Sequence, residues 1–298
     1  MTLHRDAEWP RAGEWLASAS ATNPALTVVG VPFQRSISPG RADLAPAAIR
    51  DALLKYSTYH PDHHLDLRDL AALDAGDIAW TNDDDPSKEI AFALRKAAGT
   101  LVLLGGDNFI TRPGVHGLGV PLEQVGLLTL DAHLDVRNFD AGLHNGNPIR
   151  ALMDDGLPGE NVVQLGLLPF ANSREYWEYA RGQGITSVTA NTVREQGLAG
   201  CVQRTLDDFA ARGLTVYVNL DVDVLDRAFS PGTPGARPGG FTPDEVAAAA
   251  FACGRCTAVR AMDLVEIDPN TDQNGLSCLA AARFFLEFAT GVLARGEA

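Results

Sequence analysis

The chain is short of positive charge: 24 lysines and arginines stand against 38 aspartates and glutamates, a formal net charge of −14. The basic stripe that a nucleic-acid partner calls for is therefore not expected. Long apolar runs are also missing. No stretch reaches the ~18 consecutive apolar residues of a membrane span, so no membrane partner is expected. The opening segment MTLHRDAEWPRAGEW lacks the apolar core of a secretory signal. Cysteine is scarce, with only Cys201, Cys253, Cys256 and Cys278. Cys253 and Cys256 form one C-x-x-C inside an alanine-rich helical stretch. No second pair completes a zinc site, and a redox motif would open a helix rather than sit late in one. These thiols are read as having no chemical role, in a protein of the reducing cytoplasm.

What is present is apolar and periodic. Apolar residues make up 46% of the chain, enough to bury a sizeable core, and no segment has the low hydrophobicity of disorder. Strands are predicted at 26–33, 100–106, 125–133, 162–168, 214–224 and 258–267. Several are nearly continuous apolar runs, as in a parallel sheet covered on both faces. Helical stretches lie between them: APAAIRDALLKY, DPSKEIAFALRKAAG, SREYWEYARGQG and TPDEVAAAAFACG. Two carry N-terminal signals, Asp85-Pro86 and Thr242-Pro243. The alternation predicts a three-layer α/β architecture, and residues 1–298 read as one domain. SPGTPGARPGG (230–240) reads as a structured loop rather than a linker.

Chemistry gathers at strand ends, where ligands bind in open α/β sheets. One strand ends in Gly105-Gly106-Asp107-Asn108. Another ends in Asp131-Ala132-His133-Leu134-Asp135, a third in Asp221-Val222-Asp223, and a fourth in Glu266. Alternate residues of an extended segment share a side, so Asp131 can converge with His133, and Asp221 with Asp223. Four carboxylates buried together without cations would be severely unfavourable. Asp131, His133, Asp135, Asp221 and Asp223 are therefore candidate metal ligands. Oxygen donors with one imidazole suit Mn2+, as one ion or as a two-metal site.

These motifs are similar to those of the ureohydrolases, the family of arginase, agmatinase and formimidoylglutamase. The resemblance runs from SPGRADLAPAAIR through LGGD, LTLDAHLDVRN and NLDVDVLDRAFSPGTPG to MDLVEIDP. It implies a three-layer αβα fold around a mostly parallel eight-stranded sheet, a manganese centre, hydrolysis of an amidine or guanidine C–N bond, and a homo-oligomer. By position it implies that Asp131 and Asp221 bridge two ions. His133 and Asp223 would complete one site, and Asp135 would help complete the other. It makes His144 a candidate proton shuttle and gives Glu266 the cationic amidinium or guanidinium to hold. The chain departs from the family at Asn108, where a histidine completes the first site. The departure leaves open one ion or two, and whether activity is retained.

The segment DAHLDVRN resembles formimidoylglutamases more than arginases or agmatinases. A guanidinium at Arg137, with Asn138 beside it, suits a small amidino or guanidino acid with free carboxylates and would repel an amine tail. Asn145, Asn147 and Arg150 are further candidate contacts. The leading reading is hydrolysis of N-formimidoyl-L-glutamate to glutamate and formamide, the histidine-degradation step. The alternatives are hydrolysis of another guanidino acid with release of urea, and a non-catalytic homologue with a weakened metal site.

Overall fold

A computed structural model describes residues 6–79, 87–96 and 98–297. Eight strands join one sheet: β1 (Leu26–Val31), β2 (Ala72–Asp77), β3 (Thr100–Gly105), β4 (Val125–Leu130), β5 (Val162–Leu167), β6 (Thr186–Thr189), β7 (Thr215–Asp221) and β8 (Val259–Val265). Their order across the sheet is β2-β1-β3-β8-β7-β4-β5-β6, and every pairing is parallel. The apolar runs explain the sheet: every residue of β1, β3 and β4 is buried, which requires helices on both faces.

Two apolar clusters lie on the two faces. One is packed by helices Ala45–Leu53, Leu198–Ala211, Pro243–Arg255 and Leu276–Leu293, the other by Ser87–Lys96, Thr111–Gly117, Pro148–Asp154 and Arg174–Gly182. The three layers and the parallel eight-stranded sheet are thus present as expected. The Thr242 signal is a full capping box: the Glu245 amide donates to Thr242 Oγ1, and the Thr242 amide donates to the Glu245 carboxylate at 2.8 Å. Asp85-Pro86 lies outside the described residues.

The two outermost strands, β2 and β6, were not among the strands predicted from sequence. Their residues are mostly half-buried or exposed, so neither shows the apolar run of an inner strand. Leu276–Gly296 is long and apolar enough to cross a bilayer, with mean hydropathy 1.5, but most of it is buried inside the protein. A helix apolar on all sides is a core helix when other layers enclose it.

Because every strand runs the same way, all carboxyl ends open on one edge. The four central strands β3, β8, β7 and β4 are the ones followed by Asn108, Glu266, Asp223 and His133.

Candidate metal centre

Asp131 follows β4 directly and Asp221 ends β7. The chain then turns rather than staying extended. Asp131 Oδ1 accepts the His133 amide at 2.6 Å, and Asp221 Oδ1 accepts the Asp223 amide at 2.8 Å. Each aspartate closes a local turn with its own backbone, which aims the residue two positions on into the same space. The two turns are tied together because Asp223 Oδ1 accepts the Ala132 amide at 3.0 Å.

One ligand atom from each of Asp131, His133 and Asp223 lies within 4.8 Å of the others, and His133 Nδ1 is 2.7 Å from Asp223 Oδ2. Gly235 is pressed onto this cluster. A Cβ there would stand 2.0 Å from Asp223 Oδ2 and 3.0 Å from His133 Cε1, so no larger residue fits without moving the ligands.

Asp135 and Glu266 both have positive φ, 51° and 71°. Two strained acids at the strand ends are the mark of a functional site. Asp135 faces the group along a different edge, where its carboxylate accepts the Asn108 amide nitrogen. That nitrogen also lies 3.5 Å from Asp131 Oδ2. Asn108 Oδ1 points away and accepts from Thr111 Oγ1 at 2.6 Å and Asn219 Nδ2 at 2.9 Å. Behind them the wholly buried Asp263 accepts from Asn219 and Tyr217, each at 2.8 Å, and lies 2.8 Å from Thr111 Oγ1, whose single proton is shared between Asp263 and Asn108. In this arrangement Asn108 offers the carboxylates a donor, not a ligand.

The charges do not balance. Burial and then Asp223 push the Asp131 carboxyl up to about 7. Burial also raises Asp135 and Asp221, helped by neighbouring carboxylates. Burial works against a charge on His133, but Asp223 and Asp131 outweigh it and lift the imidazole to about 12. The same imidazole holds Asp223 low despite burial. One imidazolium faces Asp131, Asp135, Asp221 and Asp223, so the pocket favours further positive charge. Carboxylates with one imidazole fit Mn2+.

A cavity of about 340 Å³ opens over the cluster, lined in part by His133, Asp135, Asp221, Asp223, Arg137 and Glu266. Among the described residues no carboxylate pairs with Arg137; Asp140 is bonded by Asn138 instead, at 2.7 Å. The Asn138 side chain turns onto its own loop. His144 is buried next to the cavity residues Asn145 and Gly146, and its Nδ1 accepts the Gly146 amide at 3.0 Å. Burial and Arg137 lower its pKa.

Of the further contacts expected, Asn145 lines the cavity and donates to Glu266 Oε1 at 2.9 Å. Asn147 ties the loop through the carbonyls of Asn138 and Gly142. Arg150 stacks over Phe139 and Tyr179. The sequence reading missed Gly235 and the Thr111–Asn219–Asp263 network. An Asn and an Asp inside otherwise apolar strands were the available signal for the latter. The four cysteines are free thiols, with Cys201, Cys253 and Cys278 buried.

Residues 24–291 match the Arginase family. The chain belongs to that family. Within the arginase family it is similar to a formimidoylglutamase of Halalkalibacterium halodurans, 34% identical over 89% of this chain and 86% of that protein. The crystal structure of the Bacillus subtilis formimidoylglutamase superposes with a TM-score of 0.90 at 28% identity, covering 98% of this chain and 94% of that one. A Trypanosoma cruzi formiminoglutamase solved with Mn2+ shares the fold, with a TM-score of 0.88 at 22% identity over 96% of this chain and 99% of that one. The family resemblance and the fold read from the motifs are borne out. The chain is a metal-dependent C–N hydrolase.

Proposed function

We propose that this chain hydrolyses N-formimidoyl-L-glutamate to L-glutamate and formamide. The observation that carries the reading is the cavity's polarity: Glu266, Asp135, Asp221 and Asp223 line it on one side, and Arg137, which pairs with no carboxylate among the described residues, lines it too. An amidine with a carboxylate tail matches both ends. Sequence likeness to formimidoylglutamases supports the same substrate.

Asp131, His133, Asp221 and Asp223 would hold manganese, with Asp135 beside Asn108 completing the set. When bound, Mn2+ supplies an activated water at neutral pH. Glu266 Oε1 is already held by the Asn108 amide at 2.8 Å and by Asn145, which fixes the carboxylate and leaves Oε2 to take the amidinium N–H groups. Arg137 orients the tail by a forked hydrogen bond. Water adds to the formimidoyl carbon, the bond from that carbon to the glutamate nitrogen breaks, and that nitrogen gains a proton. His144, whose loop neighbours Asn145 and Gly146 line the cavity, is the candidate to carry that proton.

The one-ion or two-ion question turns on Asn108, and the homo-oligomer and cytoplasmic location belong to the same proposal. The test is a product assay with the Mn2+-loaded protein. Formamide and glutamate should appear in equal amounts from N-formimidoyl-L-glutamate. Urea from a guanidino acid, with no formamide, would overturn the substrate assignment.

A further inference from the structure

We propose that Arg237 is a specificity-determining residue that binds a second carboxylate, so that the cleft recognises a dicarboxylate. The inference rests on the formimidoylglutamase reading and deepens it. N-formimidoyl-L-glutamate carries two carboxylates, and one guanidinium fork satisfies only one of them.

Arg237 lines the same cavity as Arg137, Asp223 and Glu266. It comes from the loop after β7, whereas Arg137 comes from the loop after β4, the strand paired with β7. Acidic residues outnumber basic ones by 38 to 24, and several arginines are neutralised by one: Arg50 pairs with Asp74 and Asp77, Arg112 with Asp155, Arg283 with Glu287. Among the described residues neither Arg137 nor Arg237 pairs with a carboxylate. Two such guanidiniums facing one cavity are poised for an anionic ligand.

The Arg237 guanidinium, although exposed, leans on its own loop. Its Nη1, with two N–H groups, lies 3.0 Å from the Pro234 carbonyl, 2.9 Å from that of Gly235 and 3.0 Å from that of Ala236. That leaves Nε and Nη2, which form the side-on fork of a guanidinium. The loop that carries it is fastened at several points. Arg227 Nη1 donates to the Thr233 carbonyl at 2.7 Å, the Arg227 amide donates to the Arg237 carbonyl at 3.2 Å, and Gly235 abuts Asp223. Arg137 lies against Gly146, where an added Cβ would meet its Cδ at 2.9 Å. Donors fixed before the ligand arrives lose less freedom on binding. The arrangement also orients the ligand, because the acidic floor repels carboxylates and attracts the amidinium.

The test uses the full-length, Mn2+-loaded protein with Arg237→Ala and Arg237→Lys. The substrates are N-formimidoyl-L-glutamate, its side-chain amide N-formimidoyl-L-glutamine, and N-formimidoyl-4-aminobutyrate, which lacks the α-carboxylate. Arg237→Ala should raise KM for the diacid about tenfold or more with little change in kcat. It should raise KM for one monoacid and spare the other, the one lacking the carboxylate that Arg237 binds. Arg237→Lys, which keeps the charge but not the fork, should fall between.

Calorimetry reads the same claim without turnover. The native protein should bind glutarate more tightly than butyrate, and Arg237→Ala should abolish that preference. An unchanged KM for the diacid, an equal rise for both monoacids, or a surviving glutarate preference would each overturn the inference. Absence of formamide from every formimidoyl substrate would overturn the formimidoylglutamase reading instead. The glutarate comparison would still judge Arg237 on its own.

Discussion

At the scale of single residues, Asn108 is where the metal centre departs from the family pattern. Its amide nitrogen faces Asp131 and Asp135 while its oxygen is held by Thr111 and Asn219. Asn108→His replaces a donor with a ligand, so Mn2+ affinity measured by calorimetry should rise about tenfold or more, the scale of a well-supported ligand change. An unchanged affinity would place Asn108 outside the metal's reach.

The ligands' protons set the pH dependence. Below about 7 Asp131 holds a proton that an entering cation must displace, and His133, lifted to about 12, holds one across the working range. Asp135 and Asp221 are raised as well, so binding should release protons and log affinity should climb with pH. Mn2+ titrations at several pH values check the sign. Affinity that falls as pH rises would contradict this protonation scheme.

The ligand motifs were legible in the sequence because D-A-H-L-D and D-V-D sit on apolar strands. The pose of His144 was not: it depends on how the loop 138–147 folds back through Asn147, which no local pattern discloses.

At the scale of elements, what could be read followed burial. The six strands predicted from sequence are inner strands of the sheet or, as with β1 and β5, next to an edge. Two covered faces leave an apolar run in such strands. The outermost β2 and β6 carry ALDAGD and TSVT, whose weak pattern reflects their exposure. The helix pair Pro243–Arg255 and Leu276–Leu293 shows a second thing hidden from sequence, the closeness of backbones. A Cβ on Gly254 would meet the Phe288 carbonyl oxygen at 2.1 Å, and one on Gly291 would meet that of Phe251 at 2.4 Å. Gly291→Ala should therefore destabilise the protein by about 1–3 kcal/mol, as overpacking does. Denaturant melts would show it as a lower midpoint with an unchanged slope, and an unaltered midpoint would contradict the packing described.

At the scale of the whole molecule, the site is a product of strand order. Asn108, the acids of 131–135, Asp221, Asp223 and Glu266 are spread over about half the chain. They meet because β3, β8, β7 and β4 are neighbours in the sheet and all run the same way. The family resemblance implied a mostly parallel eight-stranded sheet, but neither it nor the apolar patterning disclosed this order. The acids then make the fold a container for cations, and the arginines at its wall choose the anionic end of the ligand.

The most direct test of this account is manganese content measured alongside turnover. Protein loaded with Mn2+ and dialysed should retain at least one ion per chain and release formamide from N-formimidoyl-L-glutamate. Chelation should abolish the activity, and Mn2+ should restore it. A chain that retains no ion, or that turns over equally well after chelation, would contradict the account.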